Sequence, residues 1–488
     1  MTIEISCVKN KIIQLLKNDN FLSLASNLSV AVFGFLSFLL LVRTLKAELF
    51  GEWVLYITAG NFIEMLRFGI TRTAIIRFLS GAENSERHRL IGSNWVISFV
   101  VTLMIAVILW IIYGLFPETI THSGYSLFFI WYPVLSFLNL PFNNALSILQ
   151  ADQKFDKILI IRLLNVGLFV LFLALNFIWF HFGLMEILFV HLGVNLLTSL
   201  ISLVLRWDGI RYFFKTTRES RKTLLDFGKY TTGTLIGSNL LKSSDTFIIG
   251  LSPFLGTVGV AFYSVPLKLT EILEIPLRSY VATAFPKMSK ASILNKIDEV
   301  KKIYYSYAGG LTYMLLPIII LGLIFAEEFV VILGGKEYIE TAGIFRIFCI
   351  YGLFLPIDKL TGVALDSINR PRKNFYKVVY MATANILGDS IVIFVVSRFL
   401  LGTALITMLF GPAELNLIHE IGIDFAFIKT LELVAVVTIF FTLIGVIVGF
   451  HYLNAEIGIT KKRLFTDGLS FFTQIIEGFF GKTKIGKY

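Results

Sequence analysis

Lys268, Glu271, Glu274 and Arg278 stand three or four residues apart in the otherwise apolar run "VPLKLTEILEIPLR". At about 100° per residue, such spacing places all four within roughly one third of a helix circumference. Asn239, Lys242 and Asp245 form a second stripe of this kind, and Asn61, Glu64 and Arg67 a third. Their chemistry is that of holding and exchanging charge. Glu64 with Arg67, Lys268 with Glu271 and Glu274 with Arg278 are spaced to neutralise one another locally. Alternatively, the stripes line a shared polar interior in which cations serve a cargo and acids serve ions. Four charges on one helix face exceed what pairing requires in a medium that penalises each by about 2.5 to 3.5 kcal/mol, which favours the polar interior. Pro266 and Pro276 bracket the first stripe, where a bend frees backbone carbonyls.

The elements that carry these stripes are membrane spans. The chain has 488 residues, is 56% hydrophobic with 47 Phe, and only 16% of it is charged; its mean hydropathy is +0.79. A soluble protein with that composition would expose most of its apolar surface to water. Runs of about 20 apolar residues cross the hydrocarbon core. Twelve such runs are predicted, at 21–42, 49–70, 93–116, 124–149, 158–180, 183–206, 231–251, 258–285, 303–325, 342–366, 379–410 and 425–453. The polar start, with Glu4, Lys9, Lys11, Lys17 and Asp19, does not read as a cleavable signal, so the N-terminus is expected to be retained. Cys7 and Cys349 cannot form a disulfide framework.

The net charge of +10 follows topology and calls for no nucleic acid. With the N-terminus inside, the connections on the cytoplasmic side hold 32 of the 43 Lys and Arg, against Arg43, Lys46 and Lys336 outside. That asymmetry places both termini in the cytoplasm. An offset of 208 residues superposes the first span on the seventh and the third on the ninth. The expected fold is therefore an all-α integral membrane protein of about twelve transmembrane helices, in two six-helix bundles related as parallel repeats around a central cavity. Its segments are a cytoplasmic N-terminal stretch (1–20), a first lobe (21–206), a basic linker (207–230), a second lobe (231–453) and a cytoplasmic tail (454–488). In the tail, Leu464, Phe465, Leu469, Phe472, Ile476, Phe479 and Phe480 follow three basic residues at helical spacing, as in an amphipathic helix lying at the interface.

Milder polar sets occur in other spans. Asp358 adjoins Lys359, Asn385 and Asp389 share a face of the eleventh span, and His191, Asn195 and Ser199 read as helix-packing hydrogen bonds. Nothing in the sequence supports catalysis. The six His are scattered, no Cys/His cluster has metal spacing, and "GFFGKT" lacks the first Gly of a phosphate loop because Ile476 stands there. No cofactor is expected. Without a nucleotide-binding segment, uphill movement needs an ion gradient, a membrane potential or the substrate's own gradient.

The segment "SNLLKSSDTFIIGLSPFLGTVGVAFYSVPLKLTEILEIPLRSYVATAFPKMS" resembles the signature region of the polysaccharide-transporter branch of the multidrug/oligosaccharidyl-lipid/polysaccharide flippase superfamily, with Asp245, Gly250, Gly259, Tyr263, Pro286 and Ser289 in the recurrent positions. "LLLVRTLKAELFGEWVLYITAGNFIEMLRFGI" and "LQADQKF" are similar to that family's first two spans and to its loop after the fourth. The resemblance implies a Wzx-type flippase in the bacterial inner membrane. Such a protein carries undecaprenyl-diphosphate-linked oligosaccharide repeat units outward by alternating access, beside the polysaccharide polymerase machinery and among membrane lipids, for O-antigen (lipopolysaccharide), capsule or exopolysaccharide. On that reading Arg67, Lys242, Lys268 and Arg278 hold the diphosphate or acidic sugars. Glu64, Asp245, Glu271, Glu274 and Asp389 carry a coupling H+ or Na+ or balance charge. The acids at 271 and 274 depart from a purely anion-selective cavity.

Other classes predict different features. An ion-coupled drug exporter of the same superfamily would have a more apolar and acidic interior. A membrane glycan polymerase or ligase would need a larger outer loop than those at 326–341 and 411–424, and a lipid-binding scaffold would need no polar path. Single cysteines introduced at Thr121 and Thr257 are expected to react with an impermeant thiol reagent from outside, and those at Ser85, Ser220 and Ser292 only from inside. Outside labelling at Ser220 would overturn the two-lobe orientation.

Overall fold

The computed structural model describes residues 19–69, 71–79, 82–402 and 416–480. Cys7 with the rest of the first 18 residues, the end of the eleventh predicted span (403–410) and the Gly-Lys-Thr after the tail helix lie outside the described residues. Among the described residues every regular element is helical. In chain order they are α1 (Asp19–Thr44), α2 (Ala47–Gly69), α3 (Arg72–Leu79), α4 (Asn84–Leu115), α5 (Pro117–His122), α6 (Ser126–Leu138), α7 (Leu140–Ala151), α8 (Phe155–Leu175) and α9 (Leu184–Val204). After these come α10 (Arg218–Gly250), α11 (Gly256–Ile293), α12 (Ile297–Ile324), α13 (Ala326–Gly334), α14 (Ala342–Gly352), α15 (Leu355–Ser367), α16 (Pro371–Ile391), α17 (Asn416–Ile457) and α18 (Lys461–Phe480).

Seven of these elements, some with their continuations, are long and apolar enough to cross a membrane unaided, and α14 with α15 forms an eighth span bent by 41°. The other four predicted spans fall short for chemical reasons. α2 carries Glu48, Glu52, Glu64 and Arg67, α10 is polar over its first turns, and α11 carries the opening stripe together with Lys287 and Lys290. The fourth span is split into α6 and α7 at Asn139, after Pro133 and before Pro141. Each of the twelve predicted spans thus coincides with a helix or a broken pair as far as the described residues reach. The chain is an all-α, multi-pass membrane protein.

Two compact units divide between Asn239 and Leu240, inside α10. In the first, Ala74, Ile75 and Leu79 of α3 meet Leu90, Ile91 and Trp95 of α4 and Leu140 and Ile148 of α7. The stretch expected as a linker is partly built into this unit. Trp95 Nε1 donates to the Asp208 carbonyl at 2.7 Å, His88 stacks on Tyr212 at 4.0 Å, and the residues from Arg218 onward begin α10. Gly92 permits this docking, because a Cβ there would lie 2.2 Å from the Tyr212 carbonyl oxygen.

The second unit is cored by Leu277, Ala284 and Met288 of α11, Tyr304, Ala308 and Leu311 of α12, Leu360 and Ala364 of α15, and Leu453 of α17. Leu464 of α18 joins that core. The tail is a helix, as its spacing predicts; α12 covers Leu464 and the Phe471–Phe472 side of it, while Phe465 and Leu469 of the apolar set stay exposed. Tyr305 OH accepts from the Thr460 backbone N–H at 2.7 Å, and Phe471 and Phe472 lie against Tyr307 and Tyr313. The backbones touch because both helices carry glycine at the crossing, as small residues allow in membrane helix pairs. A Cβ on Gly309 would lie 2.1 Å from the Leu464 carbonyl oxygen and 2.8 Å from the Gly468 Cα.

Overpacking a backbone contact costs about 1 to 3 kcal/mol. Gly309→Val is therefore expected to undock α18 and to speed tryptic cleavage around Arg463 roughly tenfold or more, read by mass spectrometry of the purified protein. An unchanged cleavage rate would show that the helix is not held by this contact.

Candidate functional site

Among the described residues, the polar groups singled out in the sequence fall into three main clusters, each within one unit. In the first unit, α2 places Glu64 and Arg67 one turn apart, and the guanidinium is fully buried. Arg67 Nη2 donates to both Glu64 oxygens, at 2.6 and 2.8 Å, while Nη1 donates to Thr102 Oγ1 of α4 at 3.0 Å and to the Ser136 carbonyl. Ser136 lies in the last turn of α6, where helix carbonyls lack intrahelical donors. Tyr132 OH donates to Glu64 Oε1 at 3.1 Å. Its ring crosses α2 at Gly60, where a Cβ would lie 3.1 Å from it. With both terminal nitrogens engaged and no exposed surface, Arg67 braces Glu64. In this arrangement its terminal nitrogens are turned to protein partners and not to the accessible surface where the sequence reading expects substrate.

In the second unit, the charges of α11 are paired as their spacing suggests. Lys268 Nζ lies 2.7 Å from Glu271, and Arg278 Nη2 lies 2.5 Å from Glu274. Glu274 is shared with another helix, because Lys242 of α10 lies 3.3 Å from the same carboxylate oxygen. The side chains of Lys242 and Arg278 remain 52% and 67% exposed, whereas Lys268 is 17% exposed. One acid thus holds two cations that stay accessible, a net positive arrangement suited to an anion.

The third cluster joins Asp245 of α10, Tyr263 of α11, Asn385 and Asp389 of α16, and Thr438 of α17. Asp245 accepts from Tyr263 OH at 2.7 Å, Asn385 Nδ2 at 2.8 Å and Thr438 Oγ1 at 3.4 Å. Asp389 lies within hydrogen-bond reach of Asp245, fully buried, and neither of its oxygens accepts from another donor, so a proton is what would join the two carboxyls. Asn385 Oδ1 is likewise buried and unpartnered. Gly388 brings α16 onto α17 here, since a Cβ on it would lie 2.6 Å from Val437. Just past Asp389 the α-helix gives way to a π-helical turn, Val392–Val396. Orphaned buried acceptors are rare in folded proteins. Two carboxylates shielded from water need positive charge between them. An all-oxygen set of this kind suits a proton or a hard cation.

Several participants escaped the sequence reading. Tyr132 and Thr438 stand in apolar runs, and Tyr263 was noted only as a position in a family pattern. Lys377, counted among cytoplasmic residues, is buried in a 2.8 Å ion pair with Asp358, which the sequence reading set beside Lys359. In the sixth span Asn195 accepts from Asn165 at 3.1 Å and Ser199 donates to the Leu138 carbonyl, while His191 sits among the rings of Trp53, Tyr56 and Phe169.

The described helices, with polar clusters set among apolar spans, define an all-α multi-pass membrane protein. A family model described as "Polysaccharide biosynthesis protein" matches residues 16–292, more than half of the chain, and the chain belongs to that family. No curated sequence matches it. Among solved structures, an inward-facing multidrug resistance MATE family transporter of the MOP superfamily is similar, with a TM-score of 0.67, 14% identity and coverage of 88% of this chain and 95% of the other. The lipid II flippase MurJ in an inward closed conformation gives 0.66, 12%, 95% and 93%. A MOP superfamily transporter from Pyrococcus furiosus gives 0.53, 14%, 91% and 97%. At such identities the likeness establishes the fold.

Removing one partner of a buried ion pair costs about 3 to 5 kcal/mol, because the other charge is stranded. Arg67→Met is therefore expected to lower stability in detergent by about that much, and Tyr132→Phe by about 1 kcal/mol. Denaturation of both variants followed by fluorescence checks the order, and wild-type stability in Arg67→Met would refute the brace.

Proposed function

We propose that the protein is a flippase that carries undecaprenyl-diphosphate-linked oligosaccharide repeat units from the inner to the outer leaflet of the bacterial cytoplasmic membrane, with both termini inside. It would work by alternating access and supply O-antigen, capsule or exopolysaccharide assembly. The observation that carries this reading is the accessible cation pair Lys242 and Arg278 around the single acid Glu274, in a chain of the polysaccharide biosynthesis family. A diphosphate offers several anionic oxygens, which a guanidinium can grip two at a time. Glu274 then serves as the resting counter-ion. It spares the cations an unpaired state before loading and competes for them at release, so that binding does not become a trap.

Asp245 and Asp389 supply the coupling in this reading. Asp245 stands one turn beyond Lys242 on α10, so a proton or Na+ held between the two carboxylates fixes the same helix segment that presents Lys242 to the cargo. Lys268, close to Glu271 and less exposed, would tune the local charge. The orphaned oxygens of Asp389 and Asn385 favour ion coupling over purely downhill flipping.

In proteoliposomes with a fluorescent polyprenyl-diphosphate sugar, Lys242→Ala with Arg278→Ala is expected to slow flipping at least about tenfold, consistent with losing two charge-assisted contacts of about 1.5 to 3 kcal/mol each. Arg278→Lys should recover only part of the rate. Asp389→Asn should abolish stimulation by an imposed Na+ or proton gradient while leaving binding of the lipid intact. Full activity of the double variant would refute the diphosphate site. Export of lipophilic cations without any flipping of the lipid would favour a drug exporter.

A further inference from the structure

The first unit contains a cavity of about 670 Å³, within the roughly 300 to 1,000 Å³ typical of small-molecule sites. Its walls carry the amides of Asn61, Asn139, Asn143 and Asn239, together with Glu64 and Arg72. We propose that this cavity is a saccharide subsite, holding sugar hydroxyl and acetamido groups of the cargo through asparagine amides. The inference rests on the transport of a lipid-linked glycan and assigns its sugar to residues distinct from the cations of α10 and α11.

The placement of the amides follows from helix geometry. Asn61, Glu64, Met65 and Phe68 recur on one face of α2 at intervals of three and four. Asn139, Asn143, Leu146 and Ser147 do the same on α7, with Asn139 at the joint where the fourth span breaks. A broken helix inside a transporter bundle commonly turns backbone and side-chain polar groups toward cargo. Asn139 lines the cavity at the joint, half-buried, and its Oδ1 has no hydrogen-bond partner. Asn61 is exposed and Asn143 half-buried at the wall.

The chemistry, four amides against a single cation, suits a sugar better than a diphosphate. The acid, Glu64, is locked by Arg67 and Tyr132 and would repel an anion, while Arg72 already donates to Gln150 at 3.4 Å. Each asparagine offers both a donor and an acceptor, matching sugar hydroxyls that are donor and acceptor at once. Phe68, Met65 and Leu146 give the carbon faces of a sugar ring an apolar wall.

The test uses purified full-length protein in nanodiscs and two probes, a short polyprenyl diphosphate bearing one N-acetylglucosamine and the same lipid diphosphate without sugar. Wild type should bind the glycosylated probe about tenfold or more tightly than the bare one, as loss of a few net hydrogen bonds would predict. Asn61→Ala with Asn143→Ala should remove that preference and leave affinity for the bare lipid unchanged. Asn61→Ala alone, at an exposed position with no folding role, should remove part of it. A retained preference in the double variant, or equal loss of both probes, overturns the subsite. Equal binding of both probes by wild type overturns the subsite while the transport reading stands, and failure to bind either overturns both.

Discussion

An ion in hydrocarbon must be answered by a partner, and the answer shapes the interior of this protein. A central charge costs about 2.5 to 3.5 kcal/mol even after the membrane adapts. Arg67 is answered three ways, by a carboxylate, a hydroxyl and a helix-end carbonyl. Lys377 is answered by the carboxylate and the backbone carbonyl of Asp358. Arg67 Nε is still buried without a partner, but the charge of each of these cations is met by a carboxylate, and beside them two arrangements stand out. Glu274 has two cations where one would suffice, and Asp389 has none of the donors that a buried carboxylate needs. Surplus and deficit are where mobile charge finds work, since a fully matched cluster gains nothing by binding anything further.

Interruptions in the helices put the polar groups where they meet. The break at Asn139 ends α6 early, which leaves the Ser136 carbonyl to Arg67 and sets an amide at the wall of the cavity. Glycine works on a smaller scale. Gly388 draws α16 against α17, and Gly60 lets Tyr132 lie across α2. In both places a side chain would separate the helices by more than a hydrogen bond can span.

Spans and the paired stripes were legible in the sequence because they rest on periodicity and on residue charge, both local properties. Glu64 with Arg67, Lys268 with Glu271 and Glu274 with Arg278 pair at the spacing that announces them. The partners supplied by other helices were not legible. Nothing local marks Tyr132 as the donor to Glu64, and Thr438 reads as one polar residue in an apolar run. The partner of Lys377 was not legible for a related reason. The lysine follows basic residues of a connection, and only the course of α16 shows that it has entered the unit and found Asp358. In the tail the helical spacing was legible, but a helix pattern does not say which of its apolar residues another helix covers, as α12 covers Leu464 and leaves Phe465 and Leu469 exposed.

The second unit also shows why cation and cargo sites would be hard to separate. Lys242 and Asp245 are one turn apart on α10, and a helical turn transmits rotation with little loss because its hydrogen bonds fix every residue to the next turn. A positive charge between Asp245 and Asp389 draws α10 toward α16; without it, the two carboxylates push the helices apart. Either displacement carries Lys242 with it, and Lys242 holds Glu274 at 3.3 Å, a distance at which a small shift makes or breaks the contact. Under the proposed ion coupling, the α10–α16 contact is the element that ion occupancy would bias from one side and the competition between Glu274 and an anion from the other, which is what coupling between two sites requires.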